Sequence, residues 1–447
     1  MTPNLSDLTT ALLAAAKRAG AEAADAMAVS GTAMSIDIRK GALEQAERAE
    51  GTDIGLRVLI GGRQACVSAS DTSAATIAAL AERAVAMARE APDDPHAGLA
   101  DPSQLATTWD LAMLDLCDPA AEPTPAALEQ DARTLELAAL SRPGITQVEA
   151  SSGFGRRQMH IAASNGFSGG YARSSRSLSA VAFTGSGTAM ERDWAGESRT
   201  YAADLPDPTS IGHLAADRTL ERPGAVQPKT GTYPVLYDER VAASLIGHLL
   251  SAINGASIAR GSSWARDMMG QAILPAGLSL TENPHRPRIA ASRPFDAEGL
   301  ATRQRTIIQD GILTGWVLDL ATARKLGLSS TANASRGTTA PPSPSTTNLD
   351  LTQGQHTRDD LIAQMGTGLL VTSMIGSTIN PTTGDYSRGA SGFWVANGKI
   401  SHPVHECTIA GNLRDMLARM IPGNDARPHL SMRVPSILID GMTLAGA

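Results

Sequence analysis

Two neighbouring carboxylates, Asp238 and Glu239, offer the clearest starting point for chemistry in this chain. They follow a short apolar run, Tyr233 to Tyr237, whose aromatic and β-branched residues behind Gly231 predict a strand. Asp238 fits a helix N-cap, because its carboxylate can accept from the free N–H groups of a first turn. Val241, Leu245, Ile246, Leu249 and Ile253 then share one helical face. Asn254-Gly255 is expected to end the helix, with the glycine in the left-handed conformation of a C-cap. A zinc hydrolase helix needs two imidazoles on one face and a glutamate that deprotonates the metal-bound water. Glu239 is of the right type, Asp238 alone would hold a metal weakly, and Ala243 can ligate nothing.

A second cluster, His402, His405 and Cys407, lies late in the chain. A regular strand would put His405 and Cys407 on one face. His405-Glu406 opens like a zinc-protease motif, but Ile409 and Ala410 stand where the second histidine belongs. The third candidate is the loop from Gly376 to Gly389. Its glycines let the backbone turn or approach a ligand closely. Asn380, Thr383, Gly384, Asp385 and Ser387 are the residues expected to hold a peptide there. The competing reading is a turn that hydrogen-bonds itself.

These residues need a scaffold, and 447 residues are enough for two or three domains with sizeable cores. With 42% hydrophobic and 19% charged residues the chain is ordinary globular protein, not disordered. A formal net charge of −7 argues against a broad nucleic-acid face. The three cysteines, Cys66, Cys117 and Cys407, are far apart and odd in number, which fits a reducing cytoplasm rather than a disulfide framework. No apolar run approaches the roughly 20 residues of a bilayer-spanning helix.

Hydrophobic periodicity divides the chain into three segments, 1–110, 120–225 and 229–447. The first reads as a helix, a small antiparallel sheet turned at Gly61-Gly62, and an Ala-rich helix from Thr72. The second follows the Pro-rich stretch 119–125. It reads as a helix opened by Thr124-Pro125, then β structure with a turn at Asn165-Gly166, then a helix near Thr209 to Leu220. The third carries the helix after Asp238, a hairpin at Asp310-Gly311 and several strands. Ala334 to Asn348, rich in Ser, Thr and Pro, is expected to form no regular element. The expected fold class is α+β: helix-flanked antiparallel sheets followed by a C-terminal β-rich domain.

The third segment resembles the TldD/PmbA family. The resemblance rests on the strand and acidic helix start at Asp238, on Asp296-Ala297-Glu298-Gly299, on Asn333-Ala334-Ser335-Arg336-Gly337, and on Asn380-Pro381-Thr382-Thr383-Gly384-Asp385-Tyr386-Ser387. Zinc-binding members of the TldD type carry His-Glu-x-x-x-His at this helix start. Here Asp238 and Ala243 replace the histidines around Glu239. The cysteine ligand that such members carry near the C-terminus is absent from Pro428 to Val434. The pattern is similar to the zinc-free branch, PmbA (also called TldE). The resemblance implies a zinc-free subunit whose TldD-like partner supplies the metal, with peptides as substrate and no catalytic residue or metal of its own. Two alternatives remain open: a stand-alone hydrolase using Glu239 or His402 and His405, and a non-enzymatic regulator of the gyrase-modulator type. A homodimer is expected when the chain is alone.

Overall fold

The computed structural model describes residues 4–447; residues 1–3 of the first expected segment lie outside the described residues. In chain order, α1 (Leu5–Ala19) precedes β1 (Ala23–Arg39), β2 (Ala42–Ile60) and β3 (Arg63–Ala69). Then come α2 (Ala74–Glu90), the single turn α3 (Leu111–Leu114), α4 (Pro125–Leu140), β4 (Ile145–Ala163), β5 (Ser168–Thr184), β6 (Glu191–Arg199) and α5 (Pro208–Leu220).

The first two segments share one antiparallel sheet in the order β3-β2-β1-β4-β5-β6. The sequence suggests two separate sheets; the β1–β4 ladder, from Asp25↔Ala163 to Arg39↔Glu149, joins them edge to edge. Period-2 alternation gives this sheet two distinct faces. On one face Ala24, Ala26, Ala28, Ile54, Leu56 and Val58 pack against α1 and α2. Further along the same sheet, Val148, Ala150, Leu178 and Ala180 pack against α4 and α5. Alanine dominates here because helices must lie close on a surface with few aromatics. The opposite face presents Met27, Ile161 and Phe167 to Phe295, Ala297 and Ala334 of the third segment.

The third segment continues with β7 (Gly231–Tyr237), α6 (Glu239–Ala252), α7 (Gly255–Ala259), β8 (Leu280–Glu282), β9 (Arg305–Gln309), β10 (Ile312–Leu313), α8 (Leu320–Leu326), β11 (Ala334–Ser335), β12 (Ser343–Pro344) and β13 (Leu349–Leu351). It ends with α9 (Arg358–Met365), β14 (Gly368–Ile379), β15 (Asp385–Ala396), β16 (Lys399–Asn412), α10 (Leu413–Ala418), β17 (Ile421–Pro422), β18 (Met432–Arg433) and β19 (Ile437–Ala445). One sheet runs β16-β15-β14-β7-β19-β17, and a further β16–β19 pairing closes five of its strands into a barrel-like ring. A second sheet runs β10-β9-β8-β13-β18. The α+β class with a β-rich C-terminal part therefore holds.

Ala242, Leu245, Ile246 and Leu249 of α6 are buried in the core with Val235, Leu369, Val371, Trp316 and Ile437. Each such Leu or Ile contributes roughly 1.5–3 kcal/mol. The expected hairpin at Asp310-Gly311 forms, with both residues at positive φ (48° and 81°). Two expectations fail locally. Gly255 is not a left-handed cap: Ile253 ends α6, and Asn254 caps α7, its side-chain oxygen accepting from Ala256 N at 3.0 Å. Gly255 is required instead because a Cβ there would lie 2.6 Å from Leu318 Cδ2. The Ser/Thr/Pro-rich stretch also forms a regular element after all, the small β11–β12 pairing, Ala334↔Pro344 and Ser335↔Ser343.

Candidate functional site: a charged junction at the start of α6

β7 is a fully flanked strand, parallel to β14 and antiparallel to β19, with Tyr237 opposite both Val371 and Ile437. The chain leaves its carboxyl end at Asp238, whose N–H donates to Val371 O at 3.0 Å. Asp238 caps α6 as expected, its Oδ1 accepting from Arg240 N at 3.2 Å. It is only 5% exposed, so its charge needs partners. Arg240 Nε lies 3.1 Å from Oδ1, and Arg358 Nε lies 3.1 Å from Oδ2.

Glu239 is bound in the same manner. Its Oε2 accepts from Arg427 Nε at 2.8 Å. Arg427 also reaches Glu197 Oε1 at 3.3 Å, and Glu197 Oε2 meets Arg199 at 2.6 Å and His429 Nε2 at 3.1 Å. Arg240 extends to Asp193 at 3.4 Å; Arg222 meets Asp193 at 3.5 Å and Glu191 at 3.6 Å. Five carboxylates (Glu191, Asp193, Glu197, Asp238, Glu239) thus face five guanidiniums (Arg199, Arg222, Arg240, Arg358, Arg427). The network ties β6, α6, α9 and the segment before β18 together.

Burial holds the Glu239 carboxyl above its ordinary range, with Arg427 opposing. Burial also pulls Glu197 upward, but Arg199, His429 and Arg427 more than offset it, and its carboxyl lies below the ordinary range. Burial and Arg199 lower His429, so a neutral imidazole is favoured.

Ala243, half-buried on α6, offers no donor atom. A divalent ion draws on uncompensated negative charge, and every carboxylate here already has a guanidinium. The donor set does not fit a zinc ion. Among the described residues no three His, Cys, Asp or Glu side chains converge to hold a metal.

His402, His405 and Cys407 do not form one site. A bulge on β16 puts two residues, His405 and Glu406, opposite the one residue between Ala390 and Gly392 of β15, so that Cys407 faces Ala390 and Val404 faces Gly392, with Glu406 at φ 48°. The one extra residue breaks the alternation that would have aligned His405 with Cys407. Cys407 is buried, its Sγ 3.2 Å from Ala390 O, and burial pushes its thiol up to about 11. His405 instead faces Glu191, at 3.9 Å.

Of the Asn380–Ser387 stretch, residues 380–384 form the β14–β15 turn and Asp385 to Ser387 open β15. Asn380 Oδ1 accepts from Thr382 N (3.0 Å) and Thr383 N (3.3 Å). Asp385 accepts from Thr383 Oγ1 (2.6 Å) and Asn412 Nδ2 (3.2 Å). Gly384 has φ +83°, and a Cβ there would sit 3.3 Å from Trp264 Cγ. Ser387 is half-buried in the ladder opposite Thr378 and Ala410. Pro381 O accepts from Trp264 N at 2.7 Å, and neighbouring Ser263 bonds Ala252 O at 2.6 Å. The loop therefore sits by the far end of α6, about 20 Å from Asp238 at 1.5 Å per helical residue.

The remaining motif residues meet at the seam between the long sheet and the third segment. Asp296 accepts from Glu298 N, Leu300 N and Ala334 N at 2.9 to 3.0 Å. Burial holds the Glu298 carboxyl well above its ordinary range. Asp25 of β1 pairs with Arg57 Nε at 2.6 Å and with Arg336. Asn333 donates to Glu282 at 2.8 Å. These groups cement two parts of the chain. Sequence reasoning missed Asp193, Glu197, Arg358 and Arg427; the one available signal was the alternating charges of β6.

Fold and motifs together define a class, proteins built on the PmbA/TldA metallopeptidase plan. The chain matches that plan's domain 1 over residues 24–88, its central domain over 118–222 and its C-terminal domain over 230–446. The metalloprotease PmbA of Escherichia coli O157:H7 is 37% identical over 442 residues, spanning 98% of this chain and 95% of the relative. The crystal structure of a protein described as a DNA gyrase modulator from Bacteroides thetaiotaomicron superposes with a TM-score of 0.91 at 28% identity, covering 99% of this chain and 98% of that one. TldE from Thermococcus kodakarensis shares the fold, with a TM-score of 0.85 at 18% identity, covering 98% of this chain and all of that one (100%). The chain belongs to the TldD/PmbA family, on its PmbA branch.

Proposed function

We propose that this chain is the zinc-free subunit of a two-subunit metallopeptidase of the TldD–TldE type, acting inside the cell on small or unfolded peptides. A TldD-like partner supplies zinc and the general base. This chain completes the peptide-binding chamber. The observation that carries the reading is the pairing of Glu239 with Arg427 inside a charge-balanced network at the helix start where TldD-type relatives place zinc. A guanidinium there supplies the positive charge that a metal would otherwise bring, and it holds a carboxylate that would otherwise be a base. The Asn380–Ser387 loop is proposed as chamber wall: Asn380 and Asp385 fix the turn, and its rigid backbone is what a peptide meets.

The test is a peptidase assay on the chain alone, the partner alone and the two mixed, with an unfolded protein as substrate. The expected result is hydrolysis by the mixture and none by this chain alone. Hydrolysis by the isolated chain, lost on replacing Glu239, His402 or His405, would sink the proposal in favour of an independent hydrolase.

A further inference from the structure

The inner face of the long sheet carries an arrangement that the charged junction does not use. Gly51, Gly31, Arg157 and Arg173 form one row across β2, β1, β4 and β5. Arg157 and Arg173 are therefore direct cross-strand partners, an arrangement of like charges that destabilises a sheet unless something offsets it. Among the described residues no carboxylate pairs with either. Arg173 is spent on the carbonyls of Ala290 and of Ser292 (2.8 Å). Arg157 makes no side-chain hydrogen bond or ion pair among the described residues.

This row is the floor of a cavity of about 550 Å³. The next row, Ala49, Ala33, Gly155 and Ser175, continues the floor with small side chains. Gly31 is obligatory, since a Cβ would lie 2.6 Å from Arg156 O. The acidic groups at the rim are engaged: Glu50 with Arg48, and Asp53 with Ser70 Oγ at 2.6 Å. A second cavity of about 260 Å³ adjoins the first, sharing Arg157 and Arg173 and adding Arg293 and Arg336. The Arg336 side chain is fully buried; its Nη1 pairs with Asp25, and its Nη2 has no hydrogen-bond partner. The one carboxylate lining this second cavity is Asp296, whose oxygens accept the three backbone N–H groups described above.

A flat floor of small residues leading to converging guanidiniums, one buried with an open donor, fits an extended chain ending in or carrying an anion. We propose that this chain binds a peptide carboxylate in the joined cavities over the inner face of the sheet, with Arg157 and the open Nη2 of Arg336 as its recognition groups and Arg173, already held by two carbonyls, adding positive charge beside them. The proposal rests on the reading of the chain as a peptide-handling subunit and deepens it to a substrate class. Planar guanidinium forks match carboxylates in two-point contacts.

The test uses the full-length chain and three fluorescently labelled Ala/Ser pentapeptides: one with a free C-terminal carboxylate, one amidated, and one amidated with a central Glu. The acid peptide should bind at least about tenfold tighter than the plain amide, the effect of one charged hydrogen bond. If the Glu peptide binds like the acid, side-chain carboxylates are also read. If it binds like the amide, the C-terminus alone is read. Either result supports the proposal. Arg157→Glu should erase the preference without lowering the melting temperature, because Arg157 has no partner to lose, and Arg157→Lys should keep part of it. Equal binding of all three peptides, binding of none, or an unchanged preference in Arg157→Glu would overturn the proposal. A complex with the partner that cleaves peptides without any carboxylate preference would refute this inference alone. A preserved preference with no cleavage by the complex would refute the proposed function instead.

Discussion

Replacing Glu239 with Gln separates a structural carboxylate from a catalytic one. In the folded chain Glu239 is held by Arg427 at 2.8 Å, and its side chain is 16% exposed. Glutamine keeps the shape and one acceptor but drops the charge. Burial already disfavours that charge, so the lost ion pair and the relieved desolvation oppose each other. The net stability change is expected within ~1 kcal/mol of zero. Arg427→Met is different, because it leaves Glu239 and Glu197 facing each other's region without a shared cation. Breaking a fully buried pair costs ~3–5 kcal/mol; with Arg427 31% exposed, about 2–3 kcal/mol is expected. The double variant should regain about 1–2 kcal/mol, because the uncompensated charge is gone. Urea unfolding of the four proteins measures this cycle. In the assembled complex, Glu239→Gln should leave the peptidase rate per zinc unchanged, whereas loss of a general base would lower it about 10²–10⁴-fold. A rate loss of that size, or a coupling energy near zero between positions 239 and 427, would refute the assignment of Glu239 to the ion network.

His160, His248, His285 and His429 are all lowered from the ordinary 6.5, with burial as the main cause. The folded state binds fewer protons than the unfolded one, so stability is full above pH 6.5 and falls as pH drops below it; melting temperatures from pH 7.5 to 5.5 should show this, and His160→Gln should flatten the slope. Replacing Asn380 and Asp385 with Ala removes the acceptors that hold the β14–β15 turn, costing about 1–2 kcal/mol. If the loop is chamber wall, rate per zinc falls as well, and an unchanged rate takes it out of the substrate path. Cys407, pushed up to about 11 and buried, should resist alkylation at pH 8 in the native chain and react on unfolding; mass spectrometry of peptide adducts decides it.

The junction at Asp238 was legible because it is local. A strand pattern, a capping residue and a helical stripe follow one another within twenty or so residues, and propensity and periodicity act on that scale. The partners of that junction were not legible. Arg427 lies 188 positions from Glu239, and only the folded sheets bring them together. The His405–Cys407 reading failed through one bulge at Glu406, which no alternation pattern reveals. Gly255 was read as a C-cap because glycine takes the left-handed conformation readily, whereas its real constraint is the nearness of Leu318. The Arg157–Arg173 row was invisible for a related reason: two arginines sixteen residues apart become neighbours only through the register of the β4–β5 hairpin.

The central claim is that metal belongs to the partner and not to this chain. Zinc should be quantified by plasma mass spectrometry in the tag-free chain and in its complex with a TldD-like subunit, with native mass spectrometry giving the stoichiometry. The account predicts no stoichiometric zinc in the isolated chain and one zinc per heterodimer, lost when the partner's motif histidines are replaced. One zinc per isolated chain, retained with Arg427 in place, would contradict it.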